Sequence, residues 1–321
     1  MSPDAAPPVL VEASRSGFVE SRHRGHVVVL DADGAVRLSL GAPDAPVLPR
    51  SSNKPLQAVG LLDCGWHPDD AQLALAVASH SGEPQHLVVV RSTLAAAGLD
   101  ETALQCPPDL PLGQAAAEAV LAAGGGRQRV LMNCSGKHAG MLAACVALGQ
   151  DPATYLDPAW PVQRALQAAV ERLAGEAVAH VAVDGCGAPQ HALTLPGLAR
   201  GALALVEAAP GTPERRVADA VRRHPDLLGG TGREVTALVR AVPGLVAKDG
   251  AEGVYVAALP GRGAVALKVE DGAWRAAPVA VVAALRLLGL GPDVDDAALD
   301  RLARPPVLGG GEPVGELRAA F

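Results

Sequence analysis

The chain has 321 residues, of which 49% are hydrophobic and 2% aromatic, and its formal net charge is −7. This length and composition suffice for one large apolar core or two modest ones. The acidic balance, with no stripe of Lys and Arg interrupted by aromatic residues, excludes the usual electrostatic footprint of a nucleic-acid-binding protein.

No segment of the sequence has the pattern of a targeting or membrane-spanning element. The opening MSPDAAPPVL lacks the basic and apolar regions of a signal peptide, and the apolar runs near 141–148 and 279–285 are too short to span a bilayer. We therefore expect a cytoplasmic protein with no membrane partner. The five cysteines are odd in number and widely spaced, so free thiols or metal ligands are expected rather than disulfides.

A hairpin followed by a helix is predicted for the first part of the chain. In HVVVLDADGAVRLSLG, two apolar runs flank Asp33-Gly34, which predicts antiparallel strands near 26–31 and 35–40. The next apolar segment, PLQAVGLLDCG, has the spacing of a short helix that ends at Gly65.

Helices are predicted for the middle of the chain and strands again for its last third. Apolar spacing indicates four helices between 68 and 150, and a proline start indicates two more at 161–175 and 212–224. The runs YVAALP and AVALKVEDGAW predict two or three antiparallel strands, and a helix follows at 279–289.

This order of elements favours an α+β fold in which an antiparallel sheet is flanked by helices. We expect one catalytic domain over residues 1–321, in which N- and C-terminal strands share a sheet and the portion from about 68 to 240 is helical. No internal repeat or low-complexity linker requires a domain boundary.

The first candidate for chemistry is Ser51-x-x-Lys54 in LPRSSNKPLQA. An ε-amine can reach a hydroxyl on the same turn, and Ser-Lys pairs are an established means of activating a serine nucleophile. Pro55 disfavours a helix running straight through 51–55, so that Asn53 or Lys54 would precede a helix with Pro55 in its first turn. A polar helix start without catalytic function is the alternative.

Lysine is scarce in this chain, which makes each lysine informative. A lysine that accepts the serine proton must be neutral, and lowering its pKa from about 10.4 to about 7.5 costs roughly 4 kcal/mol, supplied by burial or a second cation. Besides Lys54, the chain contains only Lys137, Lys248 and Lys268. Lys248 lies just ahead of a predicted strand, whereas Lys268 also fits a surface position on a strand.

Four further segments carry chemically useful side chains. ASHSGE at 78–83 combines two hydroxyls, an imidazole and a carboxylate, although it also fits a helix end capped by glycine. NCSGKH at 133–138 and DGCG at 184–187 each hold a lone cysteine, which indicates either a partial metal site or buried inert thiols. GGTGR at 229–233 is either a plain turn or a loop that offers its arginine to a substrate carboxylate.

Taken in order, six segments resemble the asparaginase II family, the Rhizobium-type thermolabile L-asparaginases. They are RSSNKPLQA, ASHSGE, NCSGKHAGML, DGCGAP, GGTGRE and KDGAEGVY, and the resemblance extends over about residues 10 to 290. It implies membership of the serine β-lactamase and penicillin-binding-protein-like superfamily, with an antiparallel sheet between helical layers. It also implies an asparaginase that hydrolyses L-asparagine to L-aspartate and ammonia through an acyl-enzyme.

The resemblance implies roles for particular residues. We expect Ser51 to be the nucleophile with Lys54 as its base, and Ser79 with Lys248 to relay the proton to the leaving ammonia. Attack by Ser79 instead is left open, because either serine could pair with a lysine. The expected substrate contacts are Arg50, His80, Ser81, Gly232, Arg233, Gly250, Ala251 and Glu252. A zinc ion that positions substrate or loops is expected on Cys134, Lys137 and Cys186.

Two other functions remain open at this stage. The same Ser-Lys chemistry could act on glutamine, a β-lactam or a peptide, or the chain could be a catalytically silent protein that binds small molecules. The resemblance also implies a homodimer that binds L-asparagine and L-aspartate.

Overall fold

The strands form one eight-stranded antiparallel sheet and one separate hairpin. A computed structural model describes residues 6–321. Within this range the strands are β1 Val9–Arg15, β2 Phe18–Asp31, β3 Val36–Leu40, β4 His180–Val183, β5 Pro189–Ala192, β6 Val246–Gly250, β7 Val254–Leu259, β8 Gly263–Val269, β9 Pro306–Gly309 and β10 Glu312–Ala319.

The large sheet brings both ends of the chain together. Its order is β6-β7-β8-β2-β1-β10-β9, with β3 beside β2, whereas β4 and β5 pair only with each other. The long strand β2 pairs first with β1 and then, from Gly25 onward, with β8. A Cβ on Gly25 would overlap the carbonyl oxygen of Lys268, so glycine permits the close approach where β2 changes partner.

Helices occupy most of the sequence between β3 and β6. In the described chain they are α1 Lys54–Asp63, α2 Asp70–Ala76, α3 Pro84–Ala96, α4 Gln114–Ala122, α5 Ser135–Ala147, α6 Pro161–Ala174, α7 Leu195–Glu207, α8 Pro213–Arg223, α9 Pro225–Leu228, α10 Glu234–Ala241, α11 Ala277–Arg286 and α12 Asp296–Ala303. Across residues 6–321, no helix combines the length and the apolar character needed to cross a membrane.

Helices cover the central strands of the sheet. Helices α7 and α11 both pack against β7 and β8. Every residue of β7 is buried, and all of β8 except Lys268 is buried, as expected for strands covered on both faces. The predicted fold class, an α+β arrangement with an antiparallel sheet flanked by helices, is therefore confirmed.

Some secondary-structure elements were predicted from the sequence and others were not. The predicted first hairpin is present as β2 and β3, and the predicted helix at 279–289 is present as α11. The hairpin of β4 and β5 interrupts the middle portion that was expected to be helical. The terminal pair β9 and β10 was not predicted, because PVLGGGEPVGEL is rich in Gly and Pro and its residues are mostly not fully buried.

The segment around Pro55 folds as its sequence predicts. A short 3-10 helix spans Arg50–Asn53, and α1 begins at Lys54 with Pro55 in its first turn. Helix α1 is buried along its whole length except at Asp63, which matches its apolar character on all sides. This burial carries the Lys54 side chain into the protein interior.

Candidate active site

A cavity of about 700 Å³ opens between the 3-10 helix and the loops that follow α2 and β6. Ser51 and Ser79 both line it, as do Arg50 and Arg233. Its volume lies within the ~300–1,000 Å³ typical of small-molecule sites. The cavity therefore collects both candidate nucleophiles and two permanent cations.

The loop after α2 holds Ser79 in an extended segment. The backbone N–H of Ser79 donates to the carbonyl of Leu228 at 3.1 Å, and that of Ser81 donates to Gly229 at 2.8 Å. The N–H of His80 donates to the carbonyl of Asn133 at 3.1 Å. These bonds fix the Ser79 hydroxyl at the cavity wall.

Two buried lysines converge on the Ser79 hydroxyl. The Lys54 amine lies 3.3 Å from Ser79 Oγ, and the Lys248 amine lies 3.1 Å from the same oxygen. Burial, together with the neighbouring charges of Lys54 and Arg233, lowers the pKa of Lys248 to about 8, although Asp249 favours the charged form. A lysine in this range is matched to general-base chemistry near neutral pH.

Ser51 faces the same cavity but has different neighbours. Across residues 6–321, no hydrogen bond joins its hydroxyl to Lys54, whose amine instead contacts Ser79, the Ala78 carbonyl and Cys134 Sγ, the last at 3.1 Å. The S-x-x-K spacing thus brings Lys54 into the site without pairing it with Ser51. The role of Ser51 as nucleophile stays a prediction.

Glycine at position 250 allows the two halves of the site to approach. A Cβ there would lie 2.6 Å from the Pro49 carbonyl oxygen and 3.1 Å from the Ser52 nitrogen. Gly250 does not line the cavity, and its contact with substrate stays a prediction beside this packing role. The 3-10 helix can therefore rest directly on β6, beside Lys248.

Arg233 is held from three directions. One guanidinium nitrogen donates to Asp249 Oδ2 at 3.0 Å and another to the Ser79 carbonyl at 3.2 Å, while the group lies 5.4 Å from the centre of the Trp274 ring. Burial favours a protonated Asp249, but Lys248 and Arg233 outweigh it and keep the pKa of that carboxyl below its usual value. The predicted residues Gly232 and Arg233 both line the cavity.

The turn between β6 and β7 adds an acidic group to the cavity. Ala251 and Glu252, which are predicted to contact substrate, line the cavity, and Glu252 has a positive φ of 60°. The Lys268 amine donates to the Glu252 carbonyl at 2.8 Å and so holds this turn. Arg50 also has a positive φ, 53°, so strained backbone occurs on both sides of the cavity.

His80 and Ser81 are structural neighbours of the site rather than parts of its surface. His80 is 0% exposed, receives the Gly82 N–H on Nδ1 at 3.2 Å, and lies 2.9 Å from Ser135 Oγ through Nε2. Burial holds the pKa of His80 well below its usual value, so its ring is neutral. Ser81 is likewise buried and does not line the cavity. The predicted contact of both residues with substrate stays a prediction.

The two cysteine segments meet at another part of the cavity wall. Cys134 and Cys186 both line the cavity, and the Lys137 amine lies 3.1 Å from Cys186 Sγ. Hydrogen bonding from Cys134 and the Lys137 charge outweigh burial and lower the pKa of Cys186 to about 5. Burial lowers the pKa of Lys137, but Cys186, Cys134 and Asp184 together raise it above its usual value.

Asp184 connects this cluster to the 3-10 helix. Arg50 Nε donates to Asp184 Oδ1 at 2.7 Å, and the Lys137 amine lies 3.9 Å from Asp184 Oδ2. Burial raises the pKa of this carboxyl, but the charges of Lys137 and Arg50 outweigh it and lower the value to about 2. Asp184 and Asp249 both stand inside quoted motifs, DGCG and KDG, but sequence alone gave no reason to single them out.

The two thiols and the amine of the cysteine cluster suit zinc if the Lys137 amine is deprotonated. Zinc prefers thiolate and nitrogen donors, which Cys134, Cys186 and Lys137 offer. Among residues 6–321, no group of three or more His, Cys, Asp or Glu side chains is arranged to hold a metal. A zinc ion would therefore require Lys137 as its third protein ligand, and the amine would have to lose its proton on binding.

A family profile described as L-asparaginase II matches residues 11–319, nearly the whole chain. The chain belongs to the L-asparaginase II family. The family predicted from the six ordered segments is thereby confirmed, and membership implies a hydrolase. A predicted homodimer and a predicted cytoplasmic location remain predictions.

Similarity to individual proteins is low. No curated protein sequence matches the chain. A crystal structure of a β-lactamase from Mycobacterium bovis aligns with 87% of this chain and 95% of its own, with 16% sequence identity and a TM-score of 0.43. The structure called Mglu in its tris and glutamate form aligns with 87% of this chain and 62% of its own, with 15% identity and a TM-score of 0.37.

Proposed function

We propose that this chain hydrolyses the side-chain amide of L-asparagine to L-aspartate and ammonia. Membership of the L-asparaginase II family supports a hydrolase. The observation that carries the proposal is the Ser79 hydroxyl, which lies 3.3 Å and 3.1 Å from two buried lysine amines at the wall of a small-molecule cavity. A serine between two amines can be deprotonated and can return the proton to a leaving group.

In this proposal Ser79 is the nucleophile and Lys248 the general base. Ser79 Oγ bonds to the amide carbon while Lys248 accepts the hydroxyl proton. The carbon–nitrogen bond then breaks, and the same proton passes to the departing nitrogen, which leaves as ammonia. A water molecule, deprotonated by the neutral Lys248, hydrolyses the resulting ester and releases aspartate. The lowered pKa of Lys248, about 8, supports this division of work.

The charged side chains of the cavity supply complementary partners for an amino acid. Arg50 and Arg233 are permanent cations suited to the α-carboxylate. Glu252 offers a carboxylate to the α-ammonium. Across residues 6–321, no basic side chain forms an ion pair with this carboxylate within 4.0 Å. A substrate carrying both charges and a neutral side-chain amide fits this pattern.

The decisive experiment measures ammonia release from L-asparagine for the unaltered chain, Ser79→Ala and Ser51→Ala. We expect Ser79→Ala to lower kcat by on the order of 10⁴-fold or more, because the covalent step is lost. Ser92→Ala, on the exposed face of α3, is the matched control. Full activity in Ser79→Ala combined with loss in Ser51→Ala would transfer the nucleophile role to Ser51.

Glutamine is the second candidate substrate, because the cavity is large enough to hold its longer side chain. A volume of about 700 Å³ leaves room for one more methylene group. A single methylene in a binding site is worth only ~1–3 kcal/mol of discrimination. Comparing kcat/KM for asparagine and glutamine on the same preparation decides which amide is preferred.

Zinc is proposed as a ligand of Cys134, Lys137 and Cys186, where it would position substrate and neighbouring loops. Bound there, it would supply a fixed positive charge and a coordination position open to an oxygen or nitrogen atom. The test is the zinc content of protein purified without chelators, for the unaltered chain and Cys186→Ser. Cys145→Ser, a buried thiol of α5 outside the cluster, is the control. Absence of zinc from the unaltered chain would remove this proposal.

A further inference from the structure

Asp249 is a buried carboxylate that serves two cations at once. It lies in β6, next to Lys248, and is 2% exposed. Its Oδ1 accepts a hydrogen bond from the Lys248 amine, and its Oδ2 accepts one from Arg233 at 3.0 Å. A carboxylate this deeply buried needs a cationic partner to stay charged, and here Lys248 and Arg233 both bind it.

These contacts determine where both cations lie relative to Ser79. The Lys248 amine also donates to the Asp249 carbonyl at 2.8 Å, so that Asp249 provides two of the acceptors around it and Ser79 Oγ the third. Arg233 reaches the opposite oxygen of Asp249 and the Ser79 carbonyl at 3.2 Å. Loss of the carboxylate would release both side chains from these positions.

The charge balance around Lys248 depends on the same carboxylate. Lys54 from α1 and Arg233, which precedes α10, are the cations that act on the Lys248 amine, and Asp249 is the anion. Tyr255 pairs with Asp249 across β6 and β7, and burial keeps its hydroxyl neutral. Glu234 contributes a carboxylate on the Tyr255 and Arg233 side.

We propose that Asp249 is a positioning residue, which holds the Lys248 amine against Ser79 and the Arg233 guanidinium at the cavity wall as their shared counter-ion. The contacts themselves are independent of the reaction, whereas their effect on turnover rests on the proposed function. Two signatures follow. Removing the carboxylate makes Lys248 lose its proton at lower pH, and removing Arg233 makes it lose its proton at higher pH.

The first test observes Lys248 directly. With only four lysines in the chain, ¹³C- and ¹⁵N-labelled lysine gives few signals, and a Lys248→Arg variant assigns the relevant one. We expect Asp249→Asn to lower the pKa of Lys248 by about one unit or more, since an opposite charge has been removed. Asp300→Asn, which removes the same charge from an exposed pair with Arg286, is the control and leaves the pKa unchanged.

A second variant keeps the inference testable if Asp249→Asn does not fold. Arg233→Gln removes the competing cation, so the pKa of Lys248 is expected to rise. An unchanged pKa in Asp249→Asn, or in Arg233→Gln where only that variant folds, overturns the inference. Neither measurement requires turnover.

Kinetics supply the second test. For Asp249→Asn, the rising limb of kcat/KM against pH is expected to move to lower pH, while KM for asparagine rises because Arg233 is released. Asp249→Glu should restore the position of the limb. A limb that stays in place despite reduced activity indicates a structural role only and contradicts the inference. If the unaltered chain releases no ammonia from asparagine, the proposed function fails, and the NMR titration still decides the role of Asp249.

Discussion

Lys248 and Lys137 have similar surroundings and opposite proton affinities. Each is buried beside an aspartate, and each aspartate also binds an arginine: Asp249 with Arg233, and Asp184 with Arg50. The pKa of Lys248 is lowered to about 8, whereas that of Lys137 is raised.

The difference comes from the remaining neighbours of each lysine. Lys248 is close to the cation Lys54, so its charged form is disfavoured by both burial and repulsion. Lys137 is close to Cys186 and Cys134, so its charged form is favoured despite burial. A Lys-Asp-Arg arrangement therefore does not define a function. Its neighbours decide whether the amine loses its proton near neutral pH, as a general base does, or keeps it unless a metal displaces it, and the following changes test that contrast.

The largest effect is expected from replacing the lysines themselves. Lys248→Met should lower kcat by about 10²–10⁴-fold, the usual contribution of a general base. Lys137→Met should lower zinc content and affect kcat less, because Lys137 does not contact Ser79. Steady-state kinetics and metal analysis on the two variants separate these roles. Equal losses of kcat in both would mean that the lysines do not differ as proposed.

The pH dependence should reflect the lysine whose pKa is lowered. Because Lys248 must be neutral to act as a base, kcat/KM should increase as pH rises through about 8 and level off above it. The pH profile with L-asparagine checks this sign. Activity that falls over the same range would indicate that Lys248 acts in its charged form.

Two glycines allow a matched comparison of packing beside Lys248 and packing beside the cysteine cluster. Gly250→Ala should destabilise the fold by about 1–3 kcal/mol, because the new Cβ would press on the Pro49 carbonyl and the Ser52 nitrogen. Gly185→Ala should cost less, since its Cβ would meet only an Arg50 side-chain nitrogen at 3.2 Å. Urea unfolding of both variants measures the difference. The reverse order of stability would contradict the close approach of β6 and the 3-10 helix.

The smallest effect is expected at the aromatic ring beside Arg233. Trp274→Leu removes a cation–π contact worth about 0.5–1 kcal/mol at a partly exposed site. KM for asparagine should rise about two- to fivefold with little change in kcat, because the proposed role of Arg233 is to bind substrate rather than to react. A fall in kcat with unchanged KM would instead connect Trp274 to the chemical step.

Local signals were sufficient for much of the fold. Asp33-Gly34 marked the first hairpin, and Pro55 marked the first turn of α1. By contrast, β6 was not recognised as a strand, and Lys248 was expected to precede one. VAKDG contains a lysine, an aspartate and a glycine, which are unfavourable in strands, and only burial against β7 and the 3-10 helix makes the segment extended.

The resemblance paired Ser79 with Lys248, and the structure has this contact at 3.1 Å, but in residues 6–321 no hydrogen bond joins Ser51 to Lys54. Ser51 and Lys54 are three positions apart in a motif, which favoured a local pair. The structure instead joins Lys54 to Ser79 and Cys134, 25 and 80 residues away. Nothing in the local sequence marks Asp184 or Asp249 as part of a site, and their ion pairs with Arg50 and Arg233 form only in the folded chain.

The sequence by itself determined the family, through six motifs in a fixed order, and the fold class, through the order and apolar periodicity of its elements, because both can be read along the chain. Only the tertiary structure decided that two lysines share Ser79 and that the proton affinity of Lys248 differs from that of Lys137. The physical reason is that a pKa depends on burial and on charges brought within a few ångströms. Here most of those charges come from residues far apart in the sequence.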